Sequence, residues 1–202
     1  MDIFSSKFLI LFTVVLMATA CSKENIEKNQ DAKKIAQAPA AVVINKNRKL
    51  LDKLSVNVDQ MTDVRFYHHP SYHFNGQNVV RLYIAEGKNG KLTLRFVVMY
   101  YGDFWVFANR AWSKIDGVSF DLPTESQWDR DNGGSKVWET SDLPIDDVNS
   151  LILIKKFATS KTPTIRFEGP KGHVDFKPTV KQLSMMQDVI AAYVAAEGIP
   201  LN

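Results

Sequence analysis

From Val64 onward, apolar and polar positions mostly alternate with a period of two, which predicts strands. Val79, Arg81 and Tyr83 fall on one side of the first such run, and Val80, Leu82 and Ile84 on the other. Asn89-Gly90 interrupts it, and residues 92–101 resume it. An Asn-Gly pair between β-rich runs is a strong hairpin signal, because both turn residues must take positive φ. Asp116-Gly117, between the runs 105–115 and 118–122, repeats the signal. Asn132-Gly133-Gly134 ahead of Lys136-Val137-Trp138-Glu139 gives it again. Residues 164–168 and 173–176 read as a further hairpin. Successive hairpins predict an antiparallel meander or sandwich.

Elsewhere the period changes. Leu50, Leu51 and Leu54 share one helical face, predicting a brief helix near 46–55. Leu151-Ile152-Leu153-Ile154 suits a strand or a helix by periodicity alone. Asp146 and Asp147 before it and Lys155 and Lys156 after it complement a helix dipole, which favours a helix over 145–158. The last helix carries the clearest signals. Thr179 with Gln182 three residues on forms a capping box, and Gly198 and Pro200 end the segment. Leu183, Met186, Ile190 and Tyr193, widened by Val189 and Val194, make an apolar stripe that must cover a sheet face. The predicted fold class is α+β: an antiparallel meander or sandwich with a C-terminal amphipathic helix and one further helix packed on the sheet. It occupies residues 46–202 as one domain.

The beginning of the chain follows a different rule. Lys7 precedes a continuous apolar stretch over residues 8–17, and Ala18-Thr19-Ala20 leads directly to Cys21, the only cysteine. A basic n-region, a short apolar run and a small-residue site make up a secretory signal too short to span a bilayer. The small-small-Cys ending resembles the lipobox of bacterial lipoproteins, in which the thiol is diacylated and becomes the first residue of the mature chain. An odd thiol mispairs in an oxidising compartment, and lipidation removes that liability. Residues 1–20 therefore read as a lipoprotein signal peptide and Cys21 as the lipidation site. Ser22 after it matches the type exported to the outer membrane. Residues 21–45 are rich in Lys, Glu, Asn and Ala and poor in large apolar side chains, as expected of a flexible tether. Lys23, Lys28, Lys33 and Lys34 alternate with Glu24, Glu27 and Asp31, which cancels most attraction to a membrane surface.

Composition adds one exclusion and one allowance. A net charge of +3 without a clustered basic face does not favour nucleic acid. Hydrophobic residues make up 45% of the chain, including 12 Phe, enough to build a core without disulfides.

Over residues 61–196 the ordered motifs Gly90-Lys91-Leu92-Thr93-Leu94-Arg95, Tyr100-Tyr101-Gly102-Asp103-Phe104-Trp105-Val106-Phe107, Ile115-Asp116-Gly117, Asp129-Arg130-Asp131-Asn132-Gly133, Val137-Trp138-Glu139 and Ile165-Arg166-Phe167-Glu168-Gly169 occur in sequence. In this order they resemble a loose group of uncharacterised exported bacterial proteins and lipoproteins. The resemblance implies the same α+β domain and transfers no catalytic residues.

Three of the four histidines lie in Phe66-Tyr67-His68-His69-Pro70-Ser71-Tyr72-His73. On an extended chain His69 and His73 point the same way, and His173 is a further imidazole, a set suited to Zn²⁺ or Cu²⁺. Pro70 excludes a helical pair, and neither a cysteine nor a nearby carboxylate completes the ligand set, so half-buried strand-end residues are the better explanation. Asp129-Arg130-Asp131-Asn132-Gly133-Gly134 begins like a calcium loop but has Thr140 where the bidentate Glu belongs, and reads as a hairpin turn. The aromatic stretch around Tyr101, Trp105 and Phe107 is mainly core, and any surplus at the surface is an interaction surface. No nucleophile motif, zinc helix or phosphate loop is present.

The sequence thus predicts a lipoprotein on the periplasmic face of the outer membrane, acting without catalysis and without a cofactor. Its partners are the membrane, through lipid on Cys21, and an unidentified envelope protein or ligand. The contrasting expectation is a metal-dependent or carboxylate hydrolase using His68, His69, His73 and His173.

Overall fold

The alternating runs pair into two antiparallel sheets. The structure is a computed structural model that describes residues 46–199. The signal segment, Cys21 and the tether lie outside the described residues. Six strands form the larger sheet in the order β1 (Ser55–Val58), β2 (Arg65–His68), β3 (Val79–Glu86), β4 (Leu92–Gly102), β8 (Lys136–Ile145) and β7 (Asp129–Gly133). The smaller sheet runs β10 (Gly172–Phe176), β9 (Thr164–Gly169), β5 (Arg110–Ile115) and β6 (Val118–Asp121). Two helices, α1 (Val148–Thr159) and α2 (Val180–Glu197), complete the α+β fold.

One of the three turns follows the expected chemistry in full. Ile115 pairs with Val118, leaving Asp116 and Gly117 as a two-residue loop with φ of 50° and 84°, the positive pair such a loop requires. At Asn89-Gly90 the hairpin joins β3 to β4 through a longer loop over residues 87–91, in which Gly90 takes positive φ (72°) and Asn89 does not. The third turn sits slightly later than the sequence signal, because Gly133 already pairs with Lys136. The segment near 46–55 forms a 3-10 helix over Arg48–Lys53, capped by the Asn47 side chain, instead of an α-helix. The apolar run at 151–154 is helical, with Asp147 capping α1 by accepting from the Ser150 amide.

Antiparallel pairing of β3 with β4 sets Val80 opposite Val98, Leu82 opposite Phe96 and Ile84 opposite Leu94, all buried on one face. α2 lies on that face with Leu183, Met186, Val189 and Ile190, and Phe157 of α1 with Phe167 of β9 fill the same core. Each such side chain contributes about 1.5–3 kcal/mol on burial. The Thr179 side chain accepts from the Gln182 amide while the Gln182 side chain accepts from the Thr179 amide, and Gly198 ends α2 in the left-handed region at φ 66°.

The run 105–115 differs from expectation. Only Arg110–Ile115 is strand, and residues 105–109 carry the chain from β4 in one sheet to β5 in the other. Phe107 takes φ 54°, so the three successive amides of Val106, Phe107 and Ala108 turn toward one point. The Glu139 carboxylate of β8, fully buried, occupies that point. Its Oε1 accepts from Val106 (2.7 Å) and Phe107 (2.9 Å), and its Oε2 accepts from Ala108 (2.5 Å). Arg130 of β7 donates to Glu139 at 3.3 Å and to the Ala108 carbonyl at 2.7 Å. A concave nest of amides holding an anion is a known electrostatic device, and here the anion is the protein's own side chain.

Candidate functional site

The period of two that buries Leu82 and Ile84 turns Arg81 and Tyr83 to the opposite face of the larger sheet, which neither helices nor the second sheet cover. Pairing of β2 with β3 places His68 beside Tyr83, and β1 adds Ser55 beside His68 and Asn57 beside Phe66. Residues 69–78 then fold over this corner. The Tyr72 amide donates to the His69 carbonyl at 2.9 Å, closing a turn, and Asn78 accepts from the Tyr101 amide at 2.7 Å.

These elements enclose an open cleft of about 310 Å³ at the β1–β2–β3 corner. Arg81 is its central charge. The guanidinium carbon stands 4.6 Å from the centre of the Tyr72 ring and 5.0 Å from that of Tyr83, within cation–π range of both. Arg81 Nη1 donates to His68 Nδ1 at 3.2 Å. Arginine has no acceptor, so His68 Nδ1 is unprotonated and Nε2 carries the proton. Burial lowers the pKa of His68 from its ordinary value. The Arg81 charge adds to that effect and Asp142 opposes it, which keeps the ring neutral at pH 7.

Deeper on the same face, Tyr83 donates to Asp142 at 2.7 Å, and Arg95 donates to the same carboxylate at 2.9 Å. Burial, followed by the hydrogen bond and charge of Asp142, pushes the Tyr83 hydroxyl up to about 12. Toward the far end of the sheet the face stays aromatic, with Tyr101 against Phe74 (5.4 Å between ring centres) and Trp138 (6.3 Å).

The structure sorts the residues singled out from sequence. His68, His69 and His73 all border the cleft, whereas His173 lies on β10 of the other sheet, paired with Glu168 of β9. His69 is committed elsewhere. Its Nδ1 accepts from the Ser71 amide at 3.1 Å, and its Nε2 faces Asp188 of α2 at 3.2 Å, so it pins the 69–78 segment to the helix. The turn at 69–72 removes the extended geometry that had aligned His69 with His73. Among the described residues, no three His, Cys, Asp or Glu side chains converge as a metal ligand set. The Arg81 charge beside His68 opposes a cation there. Tyr101 belongs to the outer face, but Trp105 and Phe107 stack on each other, 5.7 Å between centres, on the Glu139 side of the sheet. The three expected interaction residues are thus divided between two faces.

Arg81, Tyr72 and Asn57 were missed by sequence reasoning. The alternation that put Arg81 and Tyr83 on one side of a strand was the available signal, but the pairing that adds His68 is non-local. No protein-family model matches the sequence, and no curated protein or solved structure matches the chain. Among the described residues, no helix is long and apolar enough to cross a membrane.

Proposed function

We propose that this chain is an envelope lipoprotein, anchored through lipid on Cys21 at the periplasmic face of the outer membrane, and that its domain is a non-catalytic binding module. The observation that carries the binding role is the outer face of the larger sheet, where rings from Tyr72, Tyr101 and Trp138 and the Arg81 charge, backed by the buried Tyr83, stand clear of the covering helices. Aromatic and arginine side chains dominate recognition surfaces because they combine large contact area with directed hydrogen bonds. The anchor follows from the signal anatomy around Cys21, and a tether over residues 21–45 gives the domain reach from the lipid. The hydrolase reading gains no support here: His69 is tied to Ser71 and Asp188, His173 lies on the other sheet, and the charge beside His68 is positive.

Intact mass and membrane fractionation of the full-length protein beside Cys21→Ala test the anchor. A lipid-sized mass increment and membrane association, both lost in the variant, are expected. An unmodified protein that fractionates away from membranes would overturn the lipoprotein assignment.

A further inference from the structure

Arg81 differs from every other described arginine. Arg48, Arg65, Arg95, Arg110, Arg130 and Arg166 each have a carboxylate within salt-bridge distance, and Arg81 has none among the described residues. Its plane is held by Tyr72 and Tyr83 and by the His68 acceptor, so little orientational freedom would be lost on meeting a planar anion. Building on the binding role above, we propose that the cleft takes a small ligand through a single carboxylate, gripped by Arg81 with the His68 Nε2–H and the Asn57 side chain as further donors.

Charge selects the carboxylate over a phosphate. Asp188 at the border faces His69, Asp142 is already matched by Arg95 and His68 is neutral, so Arg81 is the guanidinium at the cleft without a carboxylate. A carboxylate brings one negative charge to it, whereas a phosphate monoester brings about −1.5 to −2 at pH 7. The guanidinium fork fits a carboxylate in two parallel hydrogen bonds. A volume of about 310 Å³ sits at the small end of ligand sites, sized for a body comparable to one sugar or one aromatic ring. Tyr72 supplies a ring for that body to lie against.

Matched probe pairs that differ in the carboxylate test this directly. Glucuronate beside glucose, and benzoate beside benzamide, are titrated into isotope-labelled full-length protein while the Arg81 Nε–H and His68 ring signals are followed. The acids are expected to shift both signals with Kd on the order of 1 mM, a magnitude ordinary for ligands this small, and the neutral partners to leave them in place. Arg81→Lys keeps the charge and loses the fork, so it is expected to weaken the acids about tenfold or more while the backbone spectrum stays native. Arg81→Gln is expected to abolish the shifts.

Equal response to acid and neutral probes would overturn the proposal, as would undiminished acid binding in Arg81→Lys. No response to either acid would also overturn it, and inorganic phosphate binding more tightly than both acids would overturn the choice of carboxylate. None of these outcomes touches membrane fractionation, so failure of the cleft and failure of the lipid anchor are read separately.

Discussion

Replacing Glu139 with Gln isolates the electrostatics of the crossing between the two sheets. The carboxylate is fully buried and accepts three amide hydrogen bonds and one from Arg130. Glutamine keeps the size and one acceptor oxygen, which can still serve Val106 and Phe107. Its NH₂ then faces the Ala108 amide and Arg130, both donors, so these contacts change from attractive to unpaired. Hydrogen bonds to a charged group contribute about 1.5–3 kcal/mol each, and removing one partner of a buried pair costs about 3–5 kcal/mol. The expected loss for Glu139→Gln is therefore about 3–5 kcal/mol, a large share of the 5–15 kcal/mol typical of a domain. Urea unfolding followed by tryptophan fluorescence measures it as a lower midpoint at unchanged slope. Amide exchange at Val106, Phe107 and Ala108 should accelerate more than exchange in β3. A loss below about 1 kcal/mol would refute the assignment of this carboxylate as the tie between the sheets.

Three further outcomes follow from other contacts. A methyl group added at Gly169 would lie 2.2 Å from the Phe107 carbonyl oxygen and 2.5 Å from that of Val106, so Gly169→Ala should cost about 3 kcal/mol or more in the same unfolding assay. Tyr83 is raised from 10.0 to about 12 in the folded state, so the unfolded chain loses this proton first as pH rises; the stability it contributes is complete below pH 10 and lost toward 12, and Tyr83→Phe should flatten that part of the alkaline limb. For Glu86, burial favours the protonated form, but hydrogen bonds from Tyr67 and Arg48 and the charges of Arg48 and Arg65 outweigh it and hold the carboxyl below 4.5. Its contribution is present above pH 4.5 and lost as pH falls through the folded value, so the urea midpoints of wild type and Glu86→Gln should converge as pH falls.

Local chemistry was legible in the chain, and non-local pairing was not. Asp116-Gly117 and the Thr179–Gln182 capping box specify their structures within a few residues, so the hairpin and the helix start were readable directly. Glu139 sits in an alternating run where a carboxylate reads as solvent-facing. Its burial depends on amides more than 30 residues away in sequence, and no pattern within β8 announces them. Residues 105–109 read as strand because aromatic and apolar side chains dominate them, and the left-handed Phe107 is invisible in composition. At the cleft, the histidine cluster was evident as a sequence feature, but the positive charge beside it was not, because Arg81 reaches it only when β2 pairs with β3.

The placement of α2 has a consequence for how the protein is made. This helix follows every strand in chain order, yet it covers β3, one of the earliest long strands. Pairing of β4 with β8 likewise waits until the whole of β5, β6 and β7 has been synthesised. A nascent chain ending before Thr179 therefore holds Leu82, Ile84, Leu94 and Phe96 without their cover, a sticky surface for chaperones, proteases or neighbouring nascent chains. Completion of this core is bound to the synthesis of α2, so a chain truncated ahead of Thr179 should expose the β3–β4 face.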